Sequence, residues 1–225
     1  MTRAIVLVSG GMDSLVCAAT AVAECEETNF LHFRYGQRTQ QKELTSFQAI
    51  CDHYHPARAK VVDYHWLKEI GGSALTDPAI SIGLDGAVSA GVPNTYVPFR
   101  NATLLCAAVA WAEVIKADRI YIGAVEEDSS GYPDCREVFF TAFEHVIATG
   151  SDAGDKIRIH TPVIHLSKAE IVKLGMRLKA PFELSWSCYQ SEIEACGVCD
   201  SCRLRLKAFD LAGTSDPIPY SKSAR

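Results

Sequence analysis

Short apolar runs alternate with stretches of helical periodicity along most of this chain. The runs predict strands at residues 4–8, 29–35, 60–63, 119–124 and 157–162. Helices are predicted after residues 9–14, over 40–54, 103–115 and 137–149, and from Ser167. In 40–54, for example, Leu44, Phe47 and Ile50 fall on one face. The alternation predicts an α/β fold with a doubly wound, mainly parallel five-stranded sheet, whose ligand site lies at the carboxyl ends of the strands.

The first strand leads directly into Ser-Gly-Gly-Met-Asp-Ser at residues 9–14. Glycines let an anion approach the main chain closely, and the start of a helix presents N–H groups to it. The string therefore predicts a phosphate or pyrophosphate site rather than an ordinary turn. Asp13 would repel a bare phosphate, so it is expected to hold Mg²⁺ or to cap the helix. The string matches neither a Walker A motif nor a dinucleotide fingerprint.

Three further stretches carry candidate chemistry. Tyr35 ends the second predicted strand and Arg38 lies just after it, and both are either nucleotide contacts or part of a solvated turn. Arg100, at the start of an apolar helix, reaches a phosphate or is solvated. Residues 71–98 are rich in Gly, Ser, Ala and Pro, and a loop of this length is expected to fold over the site or to be partly disordered.

An acidic segment at residues 126–136 follows the fourth predicted strand. Its carboxylates would hold Mg²⁺, or one would accept hydrogen bonds from a purine-like substrate while Tyr132 or Phe140 packs on its face. A solvated turn is the simpler interpretation of the segment.

A capping box, Ser167 with Glu170, predicts where the last helix of the α/β domain begins, and Leu166 with Ile171 forms the matching hydrophobic staple. Lys168 falls on the first turn, where the helix dipole disfavours a cation. It therefore serves a bound anion or is an ordinary surface lysine.

Composition narrows the function classes. The 225 residues carry 22 basic and 27 acidic side chains, and the net charge of -5 disfavours a protein that mainly grips nucleic acid. No secretory leader and no membrane-spanning stretch are recognisable, so a cytoplasmic protein without a membrane partner is expected. In a reducing compartment, clustered cysteines bind metal more often than they form disulfides.

Four of the nine cysteines form such a cluster near the end of the chain: Cys188, Cys196, Cys199 and Cys202. Their spacing suits a tight knuckle around one structural Zn²⁺, with no coordination position left open. An iron–sulfur cluster fits less well, because Leu206 and Lys207 stand where a ferredoxin run would have cysteine and proline. A persulfide carrier is the third interpretation. We expect residues 1–180 to form the nucleotide-binding domain and 181–225 a small helical zinc-binding segment packed on it.

The Ser-Gly-Gly-x-Asp-Ser string resembles the PP-loop ATP pyrophosphatases, which split ATP into AMP and pyrophosphate. Further motifs make nearly the whole chain similar to the 7-cyano-7-deazaguanine synthase family of queuosine precursor synthesis. They are Val97-Pro98, Arg100-Asn101, the Ser-Gly-Tyr-Pro-Asp-Cys-Arg string at 130–136, Thr161-Pro162, Lys168 with Glu170, Ser187-Cys188-Tyr189, the cysteine spacing, and Asp216-Pro217 with Tyr220. Ala180-Pro181 departs from the family, in which glycine is more usual, and puts only a local turn in doubt.

The resemblance implies an ATP-dependent ligase that converts 7-carboxy-7-deazaguanine and ammonia to the nitrile through an adenylated carboxylate and an adenylated amide. It also implies Mg²⁺ with ATP and a homodimer. Arg100 and Lys168 would neutralise phosphate, and Asp13 would bind metal or order the loop. Tyr132, Asp134 and Arg136 would bind the deazaguanine and its carboxylate. Nucleotide contacts are expected at Val8, Ser9, Gly10, Gly11, Met12, Asp13, Ser14, Tyr35 and Arg38.

Two alternatives remain. A tRNA-modifying PP-loop thiolase would share the loop and use the cysteines, although the net acidity and a closed cysteine set argue against it. A nucleotide sensor or zinc scaffold would bind ATP without turnover.

Overall fold

A single five-stranded parallel sheet, in the order β3-β2-β1-β4-β5, organises the chain and confirms the predicted fold class. The structure is a computed structural model that describes residues 1–82, 92–126 and 131–221. The middle of the predicted 71–98 loop and residues 127–130 of the acidic segment lie outside these residues. The strands are β1 Arg3–Leu7, β2 Glu27–Arg34, β3 Arg58–Asp63, β4 Arg119–Ile122 and β5 Arg158–His160.

Seven α-helices lie in the described residues. They are α1 Met12–Glu24, α2 Gln40–Tyr54, α3 Trp66–Ile70, α4 Arg100–Ile115, α5 Glu137–Gly150, α6 Lys168–Arg177 and α7 Asp200–Leu211. None of the helices in the described ranges combines the length and apolarity needed to cross a bilayer.

Alternation along β1 separates two cores, as the period of a strand requires. Ile5 and Leu7 pack with α4 and α5 on one face of the sheet. Ala4 and Val6 pack on the other face with α1, α2, α6 and α7. Helices on both faces bury β1, β2 and β4, whereas the edge strand β3 is mostly exposed and β5 is partly exposed. α1 is buried along most of its length because α6 covers it.

The C-terminal segment packs on α6. The Phe182 ring lies against Gly175, where an added Cβ would stand 2.3 Å from the ring, and it meets Phe209 of α7 edge-on at 5.1 Å between centroids. A third cluster gathers around the cysteines and includes Trp186 and Ile218.

Some boundaries differ from the expectation. β4 ends at Ile122 rather than at residue 124, because the register of β1 and β4 ends at Leu7 and Ile122. β5 pairs over only three residues. α4 begins at Arg100, three residues earlier than predicted, because Asp134, far away in sequence, accepts a hydrogen bond from the Asn101 N–H group.

Candidate active site

One cavity of about 730 Å³ opens at the carboxyl ends of β1, β2 and β4, where a parallel sheet of this type binds its ligand. Its volume is within the range of small-molecule sites. Of the nine predicted nucleotide contacts, all except Gly10 line it. Leu75, Asn94 and Thr95, from the described parts of the 71–98 loop, line it too.

The loop between β1 and α1 is held by its own serines. The Ser14 hydroxyl accepts from the Ser9 N–H (3.2 Å) and hydroxyl (3.0 Å) and donates to the Gly11 carbonyl (2.9 Å). Gly10 has a φ of 91°, and a Cβ there would lie 2.7 Å from the Glu43 carbonyl oxygen. Because α1 begins at Met12, its first N–H groups and the positive end of its dipole face the cavity.

A second glycine, which the sequence analysis did not single out, allows this loop to sit against β4. A Cβ on Gly123 would lie 2.9 Å from the backbone carbonyl of Asp13 and from the Ser14 nitrogen. The backbone therefore fills the space that a side chain at position 123 would need.

Asp13 and Lys168 meet at the mouth of the loop. The Lys168 Nζ lies 2.7 Å from Asp13 Oδ2. This ion pair explains a lysine on the first turn of α6, where the capping box of Ser167 and Glu170 is present as predicted. Asp13 Oδ1 is buried and has no hydrogen-bond partner among the described residues. An unsatisfied carboxylate oxygen beside a phosphate-binding loop fits a hard cation such as Mg²⁺.

Arg100 projects into the cavity from the first residue of α4. Its Nη1 donates to the Tyr35 hydroxyl (2.9 Å), and its guanidinium lies 5.5 Å from the centroid of the Tyr35 ring. Arg38 is exposed and donates to the carbonyls of Asp77 (3.0 Å) and Ile80 (2.6 Å). Arg38 therefore lines the cavity and also ties the start of the 71–98 loop to the end of β2.

The three residues predicted to bind substrate lie in different environments in the structure. Tyr132 lines the cavity and donates from its hydroxyl to Thr95 Oγ1 (2.7 Å). Asp134 is buried, and its carboxylate accepts from the Asn101 N–H (2.9 Å), so its charge is directed at α4 rather than at the cavity. Burial raises the pKa of Asp134, and the Asn101 hydrogen bond partly opposes this. Arg136 is exposed, is absent from the described lining, and donates to the Pro133 carbonyl (3.2 Å).

The four clustered cysteines come together as expected. The thiol sulfurs of Cys188, Cys196, Cys199 and Cys202 all lie within 4.8 Å of one another, and three of the residues are buried. A tetrahedral ion with bonds of about 2.3 Å places its sulfurs about 3.8 Å apart, and the Cys196 and Cys202 sulfurs are 3.9 Å apart. The set can therefore hold one four-coordinate metal ion.

A buried ion pair anchors this cluster to the rest of the fold. Arg205 of α7, 1% exposed, donates to both carboxylate oxygens of Asp216 at 2.7 and 2.9 Å. It also donates to the Ser185 hydroxyl (2.8 Å) and the Phe182 carbonyl (3.2 Å). The backbone N–H of Trp186 donates to the Gly10 carbonyl (2.8 Å), so the cysteine segment contacts the phosphate-binding loop directly.

Sequence analysis assigned no site role to several residues that line the cavity. Glu43 of α2 accepts from Gln37 (2.9 Å) and Thr39 (3.0 Å), and burial raises the pKa of its carboxyl group. Tyr189 and Ser201 reach the cavity from the cysteine segment. Tyr189 belongs to the Ser187-Cys188-Tyr189 motif and Ser201 directly precedes a predicted ligand, but neither signal indicates that these residues line a cavity.

Comparison with known proteins gives a consistent match. The family model described as "Queuosine biosynthesis protein QueC" matches residues 3–213. Proteins of Chlorobaculum parvum and Chlorobaculum tepidum, both named 7-cyano-7-deazaguanine synthase, are 57% identical over 218 residues, which is 97% of this chain and 96% of each relative.

Solved structures share the fold at low identity. The NMN synthetase of Francisella tularensis is 17% identical with a TM-score of 0.50, over 99% of this chain and 80% of that one. A 4-thiouridine synthetase in complex with RNA and ATP is 14% identical with a TM-score of 0.53, over 97% of this chain and 47% of that one.

Proposed function

This chain belongs to the queuosine biosynthesis protein QueC family, and we propose that it converts 7-carboxy-7-deazaguanine and ammonia to 7-cyano-7-deazaguanine with ATP. The observation that carries the proposal is the 57% identity to synthases of this name over nearly the whole chain. A cavity that joins Arg100 and Lys168 to a phosphate-binding loop supports it.

The proposed reaction runs through two adenylations. A carboxylate oxygen of the substrate attacks the α-phosphorus of ATP, and pyrophosphate leaves. Ammonia attacks the activated carbonyl carbon, loses a proton, and displaces AMP to leave the amide. The amide oxygen then attacks the α-phosphorus of a second ATP, and a second pyrophosphate leaves. Loss of AMP and of the two remaining amide protons leaves the nitrile. Both carboxylate oxygens end on AMP, so atoms balance at two ATP for each nitrile.

The chain's residues position and neutralise rather than form a covalent bond. The N–H groups at the start of α1, with Arg100 and Lys168, face the charge that develops on the departing pyrophosphate. Asp13 Oδ1 would hold Mg²⁺, which supplies further neutralisation when bound. Asp134 is a positioning residue, because its carboxylate fixes the first turn of α4 and with it Arg100.

We propose one structural zinc on Cys188, Cys196, Cys199 and Cys202. Four sulfurs complete its coordination, so it takes no part in the chemistry. We also propose that the reaction takes place in the cytoplasm, where ATP is available and these thiols stay reduced.

The decisive experiment incubates the purified protein with Mg²⁺-ATP, ammonium and 7-carboxy-7-deazaguanine, and follows AMP, ADP and nitrile by mass spectrometry. Two AMP for each nitrile without ADP is the expected result. AMP without nitrile would reject the substrate, and ADP in place of AMP would reject the pyrophosphatase chemistry. No nucleotide release with any substrate would favour a sensor.

Binding to tRNA separates this function from a tRNA-modifying thiolase. The fold similarity to a 4-thiouridine synthetase keeps that alternative in view, whereas the net charge of -5 opposes it. We expect no mobility shift of tRNA at physiological salt. A shift accompanied by sulfur transfer would reverse the assignment.

We also propose a homodimer. Helices α4 and α5 cover the same face of the sheet. They expose Val114 (77%), Val138 (64%) and Val146 (58%), and Phe99 just before α4 is 63% exposed. Large apolar side chains exposed on the helices of one face favour an interface there. Light scattering after size exclusion should give twice the 24.5 kDa chain mass, whereas a mass of one chain would refute the dimer.

A further inference from the structure

The cysteine segment forms one wall of the cavity. Tyr189, Asp200 and Ser201 line it, and each follows or precedes a cysteine of the cluster. Cys199 is the N-cap of α7 and Cys202 lies on its first turn, so Asp200 and Ser201 stand between two predicted metal ligands. Ordering of the cluster therefore fixes the position of this wall.

Tyr189 joins the cysteine cluster to the main core. It packs against both hydrophobic clusters and directly follows Cys188 in the sequence. It lines the cavity together with Ser201, Tyr132 and Arg100. Tyr189 is thus held between the two clusters at the side of the cavity that Tyr132 also lines.

Tyr132 itself is fixed from the opposite side. Its hydroxyl is bonded to Thr95 and its ring lies 5.7 Å from that of Tyr96. Two immobilised tyrosines beside Arg100 suit a flat, polar heterocycle whose acidic substituent points toward the arginine. A deazaguanine is such a ligand, and its ring N–H and amino groups need an acceptor, which Asp200 offers on the same wall.

We propose that Tyr189, Ser201 and Asp200 of the cysteine segment, together with Tyr132, bind the deazaguanine ring. This inference rests on the proposed function and adds to it the place where the heterocycle binds, which is the cavity wall formed by the cysteine segment. The cysteine cluster then supports substrate binding as well as folding. ATP occupies the part of the cavity lined by Ser9, by residues 11–14, and by Leu31 and Phe33 near the end of β2.

The test measures binding rather than turnover. Zinc-loaded protein is titrated calorimetrically with 7-carboxy-7-deazaguanine, and separately with Mg²⁺-α,β-methylene-ATP. Tyr189→Leu should raise the Kd for the heterocycle about tenfold or more, since stacking on one ring is worth this much, while the Kd for the ATP analogue changes less than about twofold. Tyr189→Phe keeps the ring and should bind the heterocycle nearly as well as the parent protein.

Tyr220→Leu is the matched control, because Tyr220 belongs to the same cluster but bonds Asp216 and is absent from the described lining. It should leave both Kd values unchanged. Equal heterocycle binding by Tyr189→Leu and the parent protein overturns the inference, as does a parallel loss of ATP binding at full zinc content. Failure of the proposed function looks different, because then the parent protein binds no heterocycle.

Discussion

At the scale of single side chains, the ion pair of Lys168 and Asp13 is the most consequential contact in the cavity. Lys168→Ala should lower AMP release at least about a hundredfold, because it removes a positive charge from the proposed site of pyrophosphate departure. The zinc content should not change. Lys173→Ala, exposed on the same helix, is the control and should retain full activity. Equal turnover of the two variants would remove Lys168 from the site.

Gly123 gives a second prediction at this scale, which depends on a steric clash rather than on charge. Gly123→Ala places a methyl group 2.9 Å from the backbone of Asp13 and Ser14, which cannot move away as a flexible side chain would. We expect a loss of about 1 to 3 kcal/mol in the free energy of unfolding and a higher KM for ATP. Gly150→Ala meets nothing within 4 Å and should be neutral. Similar KM values for the two variants would contradict this explanation.

At the scale of elements, the start of α6 depends on a local motif. Ser167→Ala removes the hydroxyl that accepts from the Glu170 N–H, and such caps are worth about 1 kcal/mol. The melting temperature should fall by about 2 to 4 °C for a chain of this size. Ser215→Ala, at an exposed position near the end of the chain, provides the comparison. An unchanged melting temperature for Ser167→Ala would mean that packing alone fixes this end of the helix.

Elements that are specified locally were predictable, and those completed by distant residues were not. The face of Leu44, Phe47 and Ile50 predicted α2 with both ends correct, Gln40 and Tyr54. The start of α4 was missed because its cap comes from Asp134, 33 residues away from Asn101. The same hydrogen bond directs the Asp134 carboxylate toward α4, and the substrate-binding role of Asp134 stays a prediction. Spacing recognised the four cysteines, whereas only the folded chain shows that Tyr189 beside them reaches the cavity.

At the scale of the whole molecule, polar contacts join the 181–221 segment to the nucleotide-binding part, in addition to the apolar packing of Phe182 and α7 in the second core. Trp186 bonds Gly10 in the phosphate-binding loop. The Nζ of Lys42 in α2 lies 4.5 Å from the centroid of the Trp186 ring. The backbone N–H of Lys42 donates to the Glu192 carboxylate (3.2 Å). We propose that residues 1–180 and 181–221 fold as one cooperative unit. The phosphate-binding loop and the 181–221 segment stabilise each other, so neither part is expected to fold alone.

A substitution in the Arg205–Asp216 ion pair tests whether the two parts of the chain fold as one unit. Asp216→Ala leaves the Arg205 guanidinium buried without its carboxylate, and breaking such a pair costs about 3 to 5 kcal/mol. Denaturation should stay a single transition at a lower midpoint, with weaker zinc retention against a chelator, since Arg205 also holds Ser185 and Phe182 beside the cysteine cluster. Asp210→Ala, exposed on the same helix, should change neither property. Two separate transitions in the Asp216→Ala variant would show instead that the segment unfolds on its own, and the cavity wall it carries would then depend on the metal rather than on the whole fold.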